Sequence, residues 1–445
     1  METITGWLLD LYEDPLGGLV IWFLGDDGRR RRLRQRFTVT FFAYGENRLL
    51  AALETRLRAL AAVPVLSPSV LLTPSVLLTP RPSCLARSVA LSALPAPPFQ
   101  LAWDVQQNVF ARNHAPALPC AAGMLTQLAV GTGNTGGARN TGGGDITAGG
   151  DTTAGALQPV LAITVTRPAE LLALFRQVSR EFAGLNFANA DLAVSLRYAA
   201  RYGVSPLNRC RLQVDAGDMI QSVELLEDSW TLDPQPIPLR VLELSPDCNP
   251  THATPRWLNV RKGGQSFRLA LAPVRALLVN LRALLAGYDP DLLLTEWGDT
   301  WLLPWLLEMA ETTGLALPLN RDPQAELQRR KERWYFSYGQ IVYRGEQVLL
   351  QGRFHLDARN AMLWSDCGLE GALEMARVTG LPLQTAARVS PGTGISSIQM
   401  LTALKAGILV PWQKQQAEMP RPALDLFAAD PVSYTHLTLP TSDLV

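Results

Sequence analysis

The sequence predicts a mixed α/β (α+β) fold, and three features of its central part indicate this fold class. Residues 292–294 are consecutive leucines bounded by turn residues, a pattern typical of a short strand buried on both faces. Apolar residues at helical spacing predict a helix on either side of that strand, at residues 274–288 and 301–313. Three short strands punctuated by Pro and Gly-Gly precede these elements, at residues 239–244, 257–260 and 266–271.

Length and charge bound what the chain can do. Its 445 residues are enough for about two to four domains, each with its own core. Lys and Arg together number 40, as do Asp and Glu, so the net charge is zero. This balance argues against a protein that coats nucleic acid through bulk positive charge. Any such contact must come from local basic patches.

Neither a membrane segment nor an oxidised framework is predicted. No apolar run reaches the roughly 18–20 residues that a membrane-spanning helix needs, and the first residues lack a basic region and a cleavage site. The cysteines are odd in number and include no C-x-x-C pair, which argues against a zinc site and against disulfides. We therefore expect a cytoplasmic protein with reduced cysteines and no membrane partner. The cysteines are Cys84, Cys120, Cys210, Cys248 and Cys367.

A β-hairpin is predicted at the N-terminus. Residues 18–24 form an apolar strand, residues 25–28 a turn, and residues 29–37 the returning strand. Because side chains alternate along a strand, four arginines are expected to point to one face. That row is a candidate for phosphate contacts, and the alternative is a solvated hairpin face. The four residues are Arg30, Arg32, Arg34 and Arg36.

Further elements of the N-terminal half enclose two segments of unusual composition. The hexapeptide Ser-Val-Leu-Leu-Thr-Pro occurs twice in succession at residues 69–80, and residues 131–155 are rich in Gly and Thr. Residues 131–136 match G-x-G-x-x-G, but more glycines follow them instead of a helix, so no dinucleotide site is expected. The predicted elements are a strand at 38–44, a helix at 46–61, a strand at 159–166, a helix at 169–182 and a strand at 210–214.

Residues 289–306 carry a family resemblance. An Asp-Pro-Asp turn, the apolar strand, a Trp/Gly/Asp cluster and a Leu-x-x-Leu-Leu helix follow one another there. In this order the segment resembles the second exonuclease motif of family B DNA polymerases. Residues 18–44 and 191–214 are similar to the start and the end of the N-terminal domain of that family. The resemblance implies a ribonuclease H-like exonuclease domain preceded by a mixed α/β N-terminal domain.

The residues at the family's catalytic positions are largely replaced. Strand 239–244 matches the first exonuclease motif, with Glu243 in place of its Asp and Ser245 in place of its Glu. In the second motif, Trp297 occupies the position of an Asn and Leu302 that of a metal-binding Asp. Neither Trp nor Leu can ligate a metal ion. We refer to this region, with Asp357, as a vestigial exonuclease pocket.

The third exonuclease motif is missing. Residues 352–357 resemble the family's Gly-Arg-x-x-x-Asp and end at Asp357, but the Tyr-x-x-x-Asp that should follow does not occur before Tyr434. Two-metal hydrolysis needs several carboxylates around a pair of ions about 3.5–4 Å apart. One surviving acid of the set cannot hold them. We therefore expect no intact catalytic residue and no metal bound by this chain.

Two other uses of the same sheet edge stay open. Glu296 and Asp299 could form an unorthodox metal site with Glu243 or Asp357, which a divergent 3′–5′ exonuclease would require. Trp297 and Trp301 could stack on unpaired bases, a role that needs only the face of a ring. The alternative for both tryptophans is packing in the core.

A basic segment follows the exonuclease-like motifs. Residues 324–333 are predicted to be helical and carry several Arg and Lys residues, either as a solvated face or as a DNA contact. Residues 334–350 are predicted to form a hairpin that turns at residues 344–346. Residues 380–411 are similar to the passage from the exonuclease domain into the polymerase domain of the family. The basic residues singled out for DNA contact are Arg329 and Arg330.

These observations divide the chain and give the expected function. The predicted units are residues 1–126 and 157–234 (N-terminal domain), 127–156 (Gly/Thr-rich insertion), 235–385 (exonuclease-like domain), 386–431 (start of a polymerase domain) and 432–445, where the sequence looks like a translated library adapter. The resemblance implies a truncated family B DNA polymerase homologue that positions DNA, as template and primer or as a single strand. Mg²⁺ would serve the intact polymerase. The alternatives are a non-catalytic DNA-binding or architectural subunit and a divergent 3′–5′ exonuclease.

Overall fold

The structure is a computed structural model, and it describes residues 1–62, 99–107, 157–337 and 340–412. The repeat at 69–80, the Gly-rich insertion with its G-x-G-x-x-G, Cys84, Cys120 and the adapter-like tail lie outside the described residues. None of the helices in the described ranges is both long enough and apolar enough to cross a membrane.

The described elements alternate between strands and helices, as the sequence predicts. The strands are β1 (Glu2–Glu13), β2 (Leu19–Gly25), β3 (Arg30–Gln35), β4 (Val39–Tyr44), β5 (Phe99–Gln107), β6 (Leu157–Val165), β7 (Asn186–Ala188), β8 (Arg209–Val214), β9 (Ile220–Leu225), β10 (Val241–Pro246), β11 (Trp257–Lys262), β12 (Gln265–Ala270), β13 (Leu292–Thr295), β14 (Gln328–Arg330), β15 (Arg333–Ser337), β16 (Gln340–Arg344), β17 (Gln347–Leu349) and β18 (Phe354–Asp357). The helices are α1 (Asn47–Ala62), α2 (Leu171–Glu181), α3 (Val194–Tyr202), α4 (Val274–Tyr288), α5 (Leu303–Thr313), α6 (Trp364–Thr379), α7 (Leu383–Ala386) and α8 (Pro391–Lys405).

Two sheets form the N-terminal part. The first has the order β3-β2-β1-β8-β9 and is antiparallel throughout, and the second has the order β5-β6-β4-β7. Strand β2 is buried on both faces because alternate residues enter different cores. Ile21 and Phe23 join the N-terminal core, whereas Val20 and Trp22 join a second core shared with the exonuclease-like part. The wholly apolar sequence of β2 follows from this position between two cores.

The central sheet has the order β12-β11-β10-β13-β18. Strands β12, β11 and β10 form an antiparallel meander, and β13 then pairs in parallel with both β10 and β18. The register runs from Val241 opposite Leu292 to Leu244 opposite Thr295. The two strands that carry the first and second motifs therefore adjoin in one sheet. The predicted fold class is confirmed, including the burial of β13 on both faces, since Leu292 and Leu293 enter different cores.

The basic segment near residue 330 differs from its prediction. It is not a helix: residues 328–330 form β14, which pairs with β17. Strands β15 and β16 form a separate two-stranded ribbon that closes between Ser337 and Gln340, so the turn is not at residues 344–346. The segment has no apolar residues at helical spacing. A helix here would therefore have no apolar face to pack against the core.

The arginine row of the N-terminal hairpin faces protein and not solvent. Arg30 donates to both carboxylate oxygens of Asp291, at 2.9 and 2.6 Å, and its side chain is only 7% exposed. Arg32 pairs with Asp322 at 2.9 Å, and Arg34 pairs with Asp14 at 3.2 Å. The prediction that these side chains share a face is correct, but Arg30 and Arg32 bind acids that follow α4 in the chain, and Arg34 binds an acid of the N-terminal part itself. Arg36 lies beyond β3 and is exposed.

Asp291 is the centre of that contact between the two parts of the chain. It also accepts a hydrogen bond from the Arg321 side chain at 2.9 Å and one from the Arg240 backbone N–H at 2.8 Å. Burial alone would raise the pKa of Asp291, but these donors and Arg30 together hold it below its ordinary value. The Asp-Pro-Asp turn therefore ends α4 and also binds the N-terminal hairpin through an ion pair.

Asp10 is a second buried acid at this contact, and it is bound by backbone N–H groups instead of arginines. Asp10 lies next to a bulge in the pairing of β1 with β2, and the backbone N–H groups of Leu11 and Gly352 point at its carboxyl group. Gly352 has a φ of 72°, and a Cβ there would come within 2.4 Å of the Trp22 ring. Burial raises the pKa of Asp10 to about 7. The close approach of the two parts at Gly352 excludes water from this carboxyl group.

Replacing Asp10 by Asn tests this buried site. An Asp in an unfolded chain has a pKa of about 3.9, so folding takes up a proton between that pH and the folded pKa of about 7. The stability due to the neutral carboxyl is present at low pH and is lost as the pH rises through about 7. Because Asn stays neutral, we expect the melting temperature of Asp10→Asn to rise relative to that of the unmodified protein between about pH 4 and about pH 7, with a constant difference at higher pH.

Thermal melts monitored by circular dichroism across this range measure the difference. The exposed Asp233→Asn is the matched control and should track the unmodified protein at every pH. A pH-independent difference between Asp10→Asn and the unmodified protein would contradict the assignment.

Candidate functional site

The carboxyl ends of β10, β13 and β18 lie side by side, and the vestigial exonuclease pocket is at this edge. Glu243 and Ser245 are on the more exposed face of β10, opposite the face that Leu242 and Leu244 bury. Glu243 makes an ion pair with Arg261 of the neighbouring strand at 3.0 Å, and its side chain is 37% exposed. The acid at the first motif position therefore already has a cationic partner.

A tight connection follows β13. Trp297 has a left-handed backbone with φ of 61°, and residues Gly298–Leu302 form a π-helical turn in which the Leu302 N–H donates to the Trp297 carbonyl at 2.7 Å. This turn places the Leu302 side chain fully inside the core beneath the sheet. The metal-binding position of the second motif thus points away from the edge. The sequence predicts the loss of the ligand but gives no sign of the π turn.

Asp357 closes this connection from the end of β18. Its carboxylate accepts hydrogen bonds from the backbone N–H groups of Trp297 at 3.0 Å, Asp299 at 2.9 Å and Arg359 at 3.0 Å. The group is fully buried, and burial raises its pKa to about 6 despite these donors. Asp357 therefore acts as a cap that fixes the turn after β13.

Asp299 is the second fully buried acid at the edge. Arg388, which follows α7 in the chain, donates to both carboxylate oxygens of Asp299, at 3.1 and 3.2 Å. The backbone N–H of Val348 and the side-chain amide of Asn360 donate at 2.8 and 2.9 Å. A buried carboxylate with four donors has no reason to recruit a metal ion. The ion pair between Asp299 and Arg388 also connects the central sheet to the segment that leads into α8.

His355 completes the buried network as a neutral ring. Its Nδ1 lies 2.7 Å from the Val348 carbonyl and must carry the proton, so Nε2 accepts from the Thr295 hydroxyl at 2.9 Å. Burial lowers its pKa to about 4. Gly298 packs directly on this pair, and a Cβ there would lie 1.9 Å from Thr295 Oγ1 and 2.6 Å from His355 Nε2.

The acids of the edge do not converge on a common point. Glu243, Glu296 and Asp299 pair with Arg261, Arg359 and Arg388, while Asp357 accepts backbone N–H groups. Within the described ranges no group of three or more His, Cys, Asp or Glu residues is placed to hold a metal ion. These residues do not fit a two-metal centre, which needs several carboxylates turned toward one cavity.

The tryptophans at the edge are partly engaged with protein. The Arg359 guanidinium lies over the Trp297 ring, 5.6 Å from its centroid, in a cation–π contact. Trp301 and Trp305 stack with an interplanar angle of 4° and pack against the core beneath the sheet. Of the two predicted stacking residues, Trp301 therefore has a packing role, and Trp297 lies half-buried beneath an arginine.

A ribbon with basic and aromatic residues presents a different surface, and its exposed aromatic pair was not predicted from the sequence. In the ribbon of β15 and β16, Trp334 and Tyr343 are opposite each other with ring centroids 4.4 Å apart, and they are 67% and 47% exposed. The next pair along the ribbon is Arg333 opposite Arg344. We call residues 328–337 and 340–346 the basic hairpin. It has five basic residues and two acidic ones, and the basic residues are Arg329, Arg330, Lys331, Arg333 and Arg344.

The positive charges of the basic hairpin are close together. Arg333, Arg344 and Arg388 all lie near enough to Arg330 to repel its charge. Arg329 pairs with Glu346 at 2.6 Å, but both side chains are well exposed, and such a pair contributes little. Arg333 and Arg344 are opposite each other at one end of the ribbon, so positive charge is concentrated there. The alternation of Arg and aromatic residues at 333–334 and 343–344 is the sequence signal that could have identified this surface.

Comparison with known proteins gives a similarity of fold. No protein-family model and no curated protein matches the chain. Among solved structures it is similar to the family B DNA polymerase from the hyperthermophilic archaeon Pyrobaculum calidifontis, with a TM-score of 0.55 and 16% sequence identity. The match covers 94% of this chain and 52% of that one, so the chain spans about half the length of the polymerase.

Gly298→Ala tests the packing of the π turn on the Thr295 and His355 pair. The added methyl cannot fit beside Thr295 Oγ1 without moving the turn, so we expect a loss of about 1–3 kcal/mol in the free energy of unfolding. Gly287→Ala in α4 is the control, because its Cβ would meet no atom within 4 Å. Urea denaturation measures both. Equal stability of the two variants would show that the turn is not packed as described.

Arg388→Met tests the buried ion pair. Removing the guanidinium leaves the Asp299 carboxylate buried without its charge partner, and the expected loss is about 3–5 kcal/mol. The double variant Asp299→Asn with Arg388→Met removes both charges and should recover part of that loss, measured by urea denaturation. Additive losses in the double variant would exclude direct coupling of the two side chains.

Proposed function

We propose that this chain is a family B DNA polymerase-related protein whose exonuclease-like domain positions DNA without cutting it. The fold supports the relationship, since one polymerase of that family matches over 94% of the chain. The parallel placement of β10, β13 and β18 supports an exonuclease-like origin of the central sheet. The low identity means that activity and substrate have to be argued from the residues of this chain.

The basic hairpin carries the proposal of DNA contact. An exposed pair of aromatic rings offers faces on which unpaired bases can stack, and each stacked base contributes about 1–3 kcal/mol. Neighbouring guanidinium groups supply charge for the phosphates between those bases. A protein with zero net charge needs such a local concentration to bind DNA. Arg329 and Arg330, the DNA contacts proposed from the sequence, belong to this same surface. Trp297, at the sheet edge beside Arg359, is proposed as a weaker stacking partner.

The loss of cleavage rests on the occupied carboxylates. A nuclease centre of this type uses acids that neutralise metal ions and leave positions open for water and phosphate. Here Arg388 and backbone N–H groups take the place of metals at Asp299 and Asp357. We propose accordingly that Mg²⁺ belongs only to the polymerase function of an intact protein, which lies outside the residues described.

A second candidate function uses the same surface. A non-catalytic DNA-binding or architectural subunit would also need the basic hairpin and no metal centre. The true gene sequence downstream of residue 431 separates the two. A strand with an Asp-x-x-Ser-Leu-Tyr-Pro-like motif supports a polymerase, and a stop codon near Pro431 supports a subunit.

Trp334→Ala tests the stacking surface. We expect the Kd for a fluorescently labelled oligothymidylate to increase about 5- to 150-fold, which corresponds to one lost stack of about 1–3 kcal/mol. Trp230→Ala is the matched control, since Trp230 is equally exposed at 65% and lies in an acidic segment. Fluorescence anisotropy at fixed salt measures both. Equal affinities for the two variants would remove the basic hairpin from the proposal.

An assay with a labelled single strand and Mg²⁺ or Mn²⁺ tests the loss of cleavage. We expect no shortening of the strand, because Asp299 and Asp357 are buried and bound by Arg388 and backbone N–H groups. Glu243→Gln is the control for contaminating nucleases. Degradation that depends on the metal and disappears in Glu243→Gln would establish a divergent 3′–5′ exonuclease instead.

A further inference from the structure

The connection from β9 to β10 exposes large apolar side chains among acidic ones. Trp230 is 65% exposed and Leu232 is completely exposed. Residues 227–239, here called the acidic segment, carry three carboxylates and no Lys or Arg. Trp230 and Leu232 are two residues apart, so one short stretch exposes two large apolar side chains to water. The three acids are Glu227, Asp228 and Asp233.

This segment is held in one conformation. Arg377 of α6 donates to the carbonyl groups of Asp228 and Thr231 at 2.8 and 3.1 Å. The Asp228 carboxylate accepts the Trp230 backbone N–H at 2.8 Å, and Glu227 accepts the Gln235 N–H at 3.1 Å. Ile237 and Leu239 anchor the far end in the core. Little conformational entropy would be lost when Trp230 and Leu232 bind a partner, because the backbone that presents them is already fixed.

The basic hairpin is the complementary surface on the same molecule. The acidic segment carries three negative charges beside two apolar side chains, and the basic hairpin carries a net three positive charges beside two aromatic rings. Trp230, Leu232, Trp334 and Tyr343 are all exposed in the single chain, so neither surface covers the other within one molecule. Contact between them requires two molecules.

We propose that the acidic segment of one molecule docks on the basic hairpin of a second copy of this chain. The contact joins two different surfaces, so it is heterologous. In a pair of molecules, one keeps a free acidic segment and the other keeps a free basic hairpin. Two small patches bury less area than a stable dimer needs, and the association is therefore weak and transient. Carboxylates beside an aromatic ring resemble the phosphates and bases of a single strand. Docking and single-stranded DNA accordingly compete for the basic hairpin.

Sedimentation velocity of the whole chain tests this contact. The weight-average sedimentation coefficient should rise with protein concentration between about 1 and about 100 µM, and the rise should disappear at high salt because opposite charges drive the contact. The double variants Trp230→Ser/Leu232→Ser and Trp334→Ser/Tyr343→Ser should each stay monomeric. Leu172→Ser, which removes another exposed apolar side chain, is the control and should associate as the unmodified chain does.

Mixing the two double variants separates this arrangement from any other dimer. Each retains the surface that the other lacks, so the mixture should form a one-to-one complex although neither variant associates alone. A sedimentation coefficient that is independent of concentration in the unmodified chain, or a mixture that stays monomeric, overturns the inference.

Oligonucleotide binding distinguishes this inference from the proposed function. An excess of oligothymidylate should abolish the self-association of the unmodified chain, and Trp230→Ser/Leu232→Ser should bind the oligonucleotide as the unmodified chain does. Loss of oligonucleotide binding in Trp334→Ser/Tyr343→Ser without any self-association of the unmodified chain would leave the DNA proposal standing and remove the docking. Self-association that persists at saturating oligonucleotide would show that the basic hairpin is not the docking surface.

Discussion

The burial of two carboxylates at one sheet edge constrains the whole central part of the molecule. Asp299 and Asp357 are completely buried, and an isolated charge in such a place would cost several kcal/mol. The chain meets this cost with a guanidinium group for Asp299 and backbone N–H groups for Asp357. Arg388 follows α7 in the chain, and the N–H groups of Trp297 and Asp299 lie in the connection after β13. The carboxylates therefore fix the relative positions of β18, the π turn and the segment leading into α8.

The same arrangement supports the proposal that this edge does not hydrolyse DNA. A nuclease and a structural ion pair both need negative charge here, but a nuclease must keep its carboxylates accessible to cations and water. Arg388 lies within the core and brings a fixed positive charge that cannot leave. Burial keeps the His355 ring neutral. Gly298 packs directly against this ring and leaves no room for a further side chain there.

The sequence predicted the elements of the fold better than the surfaces they form. Alternation and helical spacing are local properties, and they located β10, β13 and α4, while the three consecutive leucines correctly indicated a strand buried on both faces. The row of Arg30, Arg32 and Arg34 was correctly placed on one face, but the acids that cover it are 20 to 290 residues away and cannot be found from local pattern. The basic residues near position 330 were identified, but their strand was predicted as a helix for the same reason. Strand β14 has no apolar periodicity, and its pairing with β17 arises only in the folded chain.

Exposed aromatic rings give the strongest physical reason to assign a binding role to the basic hairpin. A ribbon of two strands has little core of its own. Trp334 and Tyr343 contact each other across it but stay 67% and 47% exposed. The proposed binding of a single strand would use both features, because bases would cover the rings and phosphates would lie beside the guanidinium groups. The acidic segment carries carboxylates and the exposed Trp230, so the proposed docking would use the same two kinds of contact.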